Sequence, residues 1–110
     1  MNDDAENLLI AIKNSPSSSL LRMAYADCLE SIGGEENLAE ADRQRKISTM
    51  CSSMVRCGKW YIIESKLGHA LACSTFRQVE DILLHIIDMK TQGTESPLSI
   101  MFTSSESFNN

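Results

Sequence analysis

Leu20–Ile47 reads LLRMAYADCLESIGGEENLAEADRQRKI, and the reading of this stretch decides the fold. Leu21, Ala24, Tyr25, Cys28, Leu29 and Ile32 recur at i, i+3, i+4, i+7, i+8 and i+11, the spacing that gathers side chains on one side of a helix. Gly33-Gly34 follow where a left-handed C-terminal residue ends a helix at little cost. A second helical segment then carries Arg43 on the same face as Ile47, Met50 and Met54. A cation on a core-facing stripe needs a partner, because an unpaired buried charge is costly. Asp27, on the first segment, is the natural candidate. The expectation is therefore a structural Asp27–Arg43 ion pair clamping two helices, with Arg43→Ala costing on the order of 3 kcal/mol if the pair is buried.

Before this stretch, Ala5, Leu8, Leu9 and Ile12 form the apolar stripe of a first helix, from about Asp4 to Lys13. Asp4 and Glu6 suit the positive end of its dipole. Asn14-Ser15-Pro16 ends it, since the residue before a proline is pushed out of helical geometry. Ser17 or Ser18 caps the second helix. The third is expected from Glu35 to Arg56 or Cys57, with Gly58 as its stop and Ala39, Arg43, Ile47, Met50, Cys51 and Met54 as its stripe.

With these elements in place, the run Ala5–Ile47 resembles the short repeat-companion domain that recurs in planctomycete and myxobacterial proteins, often beside leucine-rich repeats. Leu9, Ile12, Asn14, Pro16, Tyr25, Ala26, Asp27, Leu29, Glu30, Gly33, Ala39, Glu40 and Arg43 match that family's pattern. Departures are Ser17-Ser18-Ser19 in place of acidic residues, Cys28 in place of a tryptophan, and Ala41-Asp42 in place of a bulky apolar pair. The resemblance implies a helical fold and brings no catalytic residues with it.

After Gly58 the period changes. Lys59-Trp60-Tyr61-Ile62-Ile63-Glu64 is aromatic and β-branched, which favours a strand. Residues 69–73 form a second short run that pairs back as a hairpin, with a helix over 66–73 as the rival reading. Thr75 with Gln78 has the form of a capping box. It opens a helix from Phe76 to about Lys90, with Phe76, Val79, Ile82, Leu83, Ile86, Ile87 and Met89 on its apolar arc. Residues 97–103 alternate, with Leu98, Ile100 and Phe102 on one face, as a half-buried strand does. Residues 105–110 are a polar tail. The second half also resembles, in outline, a leucine-rich-repeat cap.

The resulting expectation is an α+β fold: an N-terminal three-helix bundle over 1–57, then a ββαβ unit over 58–104 in which one helix packs a three-stranded sheet. A chain of 110 residues is expected to form a single domain with a core that needs no metal or disulfide staple.

Composition narrows the function classes. The net charge of −5 argues against nucleic acid, which calls for a basic excess. A basic face does run through Arg45, Lys46, Arg56 and Lys59, but Glu40 and Asp42 interrupt it, so a solvated helix face is the expectation. Cysteines 28, 51, 57 and 73 have no metal-ligand spacing, which fits a reduced, cytoplasmic protein. The acidic N-terminus is no secretory signal, and no run nears the ~20 apolar residues of a membrane span.

The candidate sites are few. His69 with Cys73 has half of a zinc spacing and no second half. Cys73, near a helix start, is the best-placed thiol for a nucleophile, although an inert buried thiol is the simpler reading. His85 lies between Asp81 and Asp88 on a polar helix face. No phosphate-cradling loop and no nucleophile elbow occurs. Trp60 and Tyr61 face opposite sides of their strand, so one is core and the other is available for contact. The expectation is a non-catalytic interaction module without metal or cofactor. It binds a protein partner or itself through a sheet face around Trp60, Tyr61, Ile62 and Phe102, with no small-molecule substrate. The alternatives are an acidic accessory or inhibitor protein of a toxin–antitoxin or defence system, and a nucleic-acid adaptor using the third helix.

Overall fold

The computed structural model describes residues 3–64 and 70–92. Its order is three helices, a short 3-10 turn, a three-stranded antiparallel sheet and a fourth helix, an α+β protein as the pattern implies. The expected strand over 97–103, with Phe102, lies outside the described residues, as does His69. The chain divides into two units, Met1–Ser52 and Ser53–Asn110.

In the first unit, α1 spans Asp3–Asn14, α2 Ser19–Ile32 and α3 Glu35–Ser48. The Oγ of Ser18 accepts from the amide of Leu21 at 3.2 Å and so caps α2. At the other end Gly33 and Gly34 have φ of 84° and 95°, values that side chains other than glycine rarely adopt. The amide of Gly33 bonds the carbonyl of Leu29, and the side-chain amide of Asn37 donates to the carbonyl of Gly33 at 2.8 Å. The tight turn lays α3 back against α2, and α1 also packs on α2.

The buried stripe of α2 is rotated from the expected one. Arg22, Tyr25, Ala26 and Leu29 are buried. Leu21, Ala24 and Cys28 are only half-buried, and Ile32 is exposed. On α3 the buried residues are Ala41, Gln44 and Ile47. Arg22 is fully buried: its Nε donates to the carbonyl of Pro16 at 3.1 Å and its Nη1 to the Oε1 of Gln44 at 2.9 Å. Gln44 in turn donates to Glu40 at 2.9 Å.

The expected Asp27–Arg43 clamp is therefore corrected. Asp27 accepts from Arg45 at 2.6 Å, and Glu30 accepts from both terminal nitrogens of the same guanidinium, at 2.7 and 2.9 Å. Arg43 instead reaches back one turn to Glu40 at 3.1 Å. The two helices are cross-braced by opposite charges, but the brace lies at the surface and the buried cation is on α2. Glu30 and then Asp27 hold the Arg45 guanidinium more firmly protonated than usual.

The third helix also stops earlier than its apolar spacing suggests. The hydroxyls of Ser48 and Thr49 bond the carbonyls of Arg45 and Lys46 at 2.6 and 2.7 Å, competing with the helical ladder. The backbone tightens into i→i−3 bonds at Thr49 and Met50. A 3-10 turn at Cys51–Ser53 follows, and Met54–Cys57, expected as helix, is strand β1. The boundary between units thus falls at residue 52, ahead of the expected 57.

In the second unit β1 pairs with β2 (Trp60–Glu64), and β2 with β3 (Ala70–Cys73), both antiparallel. Gly58-Lys59 joins β1 to β2. Gly58 has φ 62° and no other described residue than glycine has a positive φ, the glycine-first pattern of a type II′ hairpin. The hairpin reading of 69–73 holds over the described Ala70–Cys73. Helix α4 spans Phe76–Gln92 and packs on β2 and β3. The Oγ1 of Thr75 accepts from the amide of Gln78 at 3.1 Å, the Thr half of the expected capping box. Val79, Leu83, Ile86 and Ile87 are buried, and Phe76 meets Tyr61 edge-to-face with ring centroids 5.5 Å apart.

Arg22→Ala is expected to lower the unfolding free energy by about 3 kcal/mol, because it strands acceptors arranged around a buried cation. Arg22→Lys does not restore it, since an ammonium lacks the planar fork that reaches two acceptors. Asp27→Ala moves the urea midpoint far less, and less still at high salt. Urea unfolding followed by circular dichroism compares the three.

Candidate functional site

Alternation along the sheet sorts its residues onto two faces. Met54, Tyr61, Ile63 and Cys73 are buried and lie on the face that α4 covers. The opposite face carries the cross-strand row Val55–Ile62–Ala72, with Cys57 beside Trp60 on one side of it and exposed Glu64 beside Ala70 on the other. Ile62 is half-buried, Ala72 and Cys57 are exposed, and Val55 and Trp60 are each 44% exposed. A β-branched and aromatic row is what a strand face carries when it meets another surface. Arg56 and Lys59 stand beside it at the β1–β2 hairpin. Arg56 donates to the carbonyl of Gly58 at 3.1 Å and its guanidinium lies 5.5 Å from the centroid of the Tyr61 ring.

The structure separates the residues expected to act together. Trp60 and Ile62 share the open face. Tyr61 is 8% exposed and belongs to the core against Phe76, so it leaves the contact surface. Phe102 is outside the described residues. Val55 was missed because residues 54–57 read as helix, and Ala72 because the register of its strand against β2 is not legible in the sequence. The signal that would have found them is Gly58 itself, since Gly-x between two β-branched runs is a hairpin connection as much as a helix stop.

The residues of the expected basic face fall in both units. Arg45 and Lys46 sit near the end of α3 in the first unit, and Arg45 is engaged by Asp27 and Glu30. Arg56 and Lys59 belong to the hairpin of the second unit. The helix expected to carry Arg45, Lys46 and Arg56 ends at Ser48.

The thiols are free and differ in setting: Cys51 and Cys73 are buried, Cys28 half-buried and Cys57 exposed. Cys51 faces the carbonyls of Ser17 and Ser48 at 3.4 and 3.8 Å. Burial pushes its thiol up, and the charge of Arg22 only partly opposes this. Burial also pushes the Cys73 thiol up, the opposite of what a nucleophile needs. Among the described residues no three His, Cys, Asp or Glu side chains gather as a metal site. His85 is exposed on α4, and Arg77 pairs with Asp81 at 3.6 Å on the same helix. No helix among the described residues is long and apolar enough to cross a membrane.

Compared with known proteins, the chain matches no family model, no curated protein and no solved structure.

At pH 8, iodoacetamide is expected to label Cys57 in the folded chain while sparing Cys51 and Cys73, with all four labelled in denaturant, as peptide mass spectrometry reads out. A raised thiol value means that the folded state keeps its proton longer. The associated stability is complete below the ordinary thiol value of 9.0 and is lost as pH rises through the higher folded values. Thermal melts above pH 9 should therefore show a steeper loss in the parent chain than in Cys51→Val.

Proposed function

We propose that the chain is a small non-catalytic interaction module that contacts a protein surface through the open face of its sheet. One observation carries this reading: Val55, Ile62, Ala72 and Trp60 form an apolar row on the face away from α4, with a charge only at its end, on Glu64. Burying apolar area contributes about 25 cal/mol per Å², and tryptophan is a preferred anchor at interface centres. The settings of the thiols support a non-catalytic role, because burial makes Cys51 and Cys73 poorer nucleophiles. The resemblance of residues 5–47 to the repeat-companion domain fits a module working beside other proteins.

The test places a photo-crosslinking phenylalanine at position 60, at position 61, or at exposed Asp42 on α3, in cells of the native host. Adducts with one protein, or with a second copy of the chain, are expected from position 60 alone. Adducts only from position 42 would overturn the reading. In purified protein, Val55→Lys combined with Trp60→Ser should weaken that association at least about tenfold while the thermal melt stays close to that of the parent.

A further inference from the structure

The helical unit carries a second surface of different chemistry. A groove with a volume of about 250 Å³ opens between α1, α2 and the start of α3. Its walls are Ala5 and Leu9 from α1 and Tyr25, Leu29 and Ile32 from α2, the last three spaced i, i+4 and i+7. Glu6 and Asn37 are its polar residues. This volume lies below the roughly 300–1,000 Å³ usual for pockets that enclose a small molecule, and it suits one or two inserted side chains. Ile32, 41% exposed at the end of α2, supplies apolar surface that only an occupant would cover.

The one charged group lining the groove is the Glu6 carboxylate. One N–H of the Asn37 side-chain amide donates to the carbonyl of Gly33. Glu6 belongs to the acidic first turn of α1 with Asp3 and Asp4, and Asn37 follows Glu35 and Glu36 in the first turn of α3. These five carboxylates are exposed, and none of them ion-pairs among the described residues. The three arginines of the unit are engaged elsewhere: Arg22 is buried, Arg43 is on Glu40, and Arg45 is on Asp27 and Glu30. Residues 1–52 hold nine Asp and Glu against five Lys and Arg, so this unit carries four of the five net negative charges of the chain.

We infer that this groove is a docking site for a basic amphipathic helix of a protein partner, which inserts apolar side chains between Leu9, Leu29 and Ile32 while Lys or Arg residues meet the acidic helix starts. Apolar anchors at helical spacing fill a groove between helices. The charges set the sign of the partner and speed its encounter. This surface lies in the other unit from the sheet face, so the two readings stand or fall separately.

The probe is a labelled synthetic peptide of about 15 residues, long enough for helical structure on binding. It has leucines at i, i+4 and i+7, with lysines and alanines elsewhere. A control peptide replaces every lysine by glutamate. Binding to the intact chain is followed by fluorescence anisotropy and located by amide chemical shifts. The lysine peptide should bind at least about tenfold more tightly than the control, with the advantage shrinking between ~50 and ~300 mM salt. Shifts should centre on Ala5, Leu9, Leu29, Ile32 and Asn37. Ile32→Gln and Glu6→Gln, both at exposed positions, should each weaken binding several-fold with an unchanged helical signal. Equal binding of the two peptides, shifts centred on the sheet, or no saturation up to about 1 mM peptide would each overturn the inference.

Discussion

A guanidinium without solvent is the constraint around which the helical unit is built. Arg22 is 0% exposed, and a charge so placed survives only where the surrounding chain supplies acceptors. Two of these come from different places: the carbonyl of Pro16, in the α1–α2 connection, and the side chain of Gln44, on α3. The proline ends α1, and its carbonyl, freed from helical bonding, is turned inward to receive the arginine. Gln44 is oriented by Glu40, and Glu40 also receives Arg43. One buried cation thus ties a loop and two helices into a single hydrogen-bonded set. The same cation bears on the Cys51 thiol just after α3.

The second unit rests on a simpler principle. A three-stranded sheet with one helix can bury one face only, and the period of two decides which residues meet the helix. Tyr61 and Ile63 went inward against α4, leaving Trp60 and Ile62 outward. A one-residue change of register would have reversed that choice. The Gly58-Lys59 hairpin holds the register of β1 against β2 and so places Val55 beside Ile62. The two units therefore offer unlike surfaces: a largely apolar sheet face in one, and an apolar groove among exposed carboxylates in the other.

Much of this was legible in the residues. The ends of α1 and α2 follow from Pro16, Ser18 and Gly33, because each acts through its own backbone geometry or a bond to a near neighbour. The fourth helix follows from Thr75 and an apolar arc long enough to be unambiguous. The ion pair was only half legible. Asp27 does brace α2 against α3, but its partner is Arg45, two residues beyond the one that spacing favours. Helical spacing shows which residues share a face of their own helix. It does not show how far that helix is turned relative to its neighbour. A rotation of α2 by about one residue from the expected stripe moves Arg22 into the core and Ile32 out of it. The end of α3 was hidden for another reason: Ile47, Met50 and Met54 fit a helical stripe as well as they fit a helix end followed by a strand.

The sequence by itself determined where the first two helices begin and end, that a β-rich segment follows Gly58, and that the chain is α+β, since these depend on contacts within a few residues. Only the tertiary structure decided which cation is buried, which carboxylate braces which arginine, and which apolar residues are left exposed. Those outcomes depend on how packed elements rotate against one another, and that rotation is set by the summed packing of residues far apart in the chain.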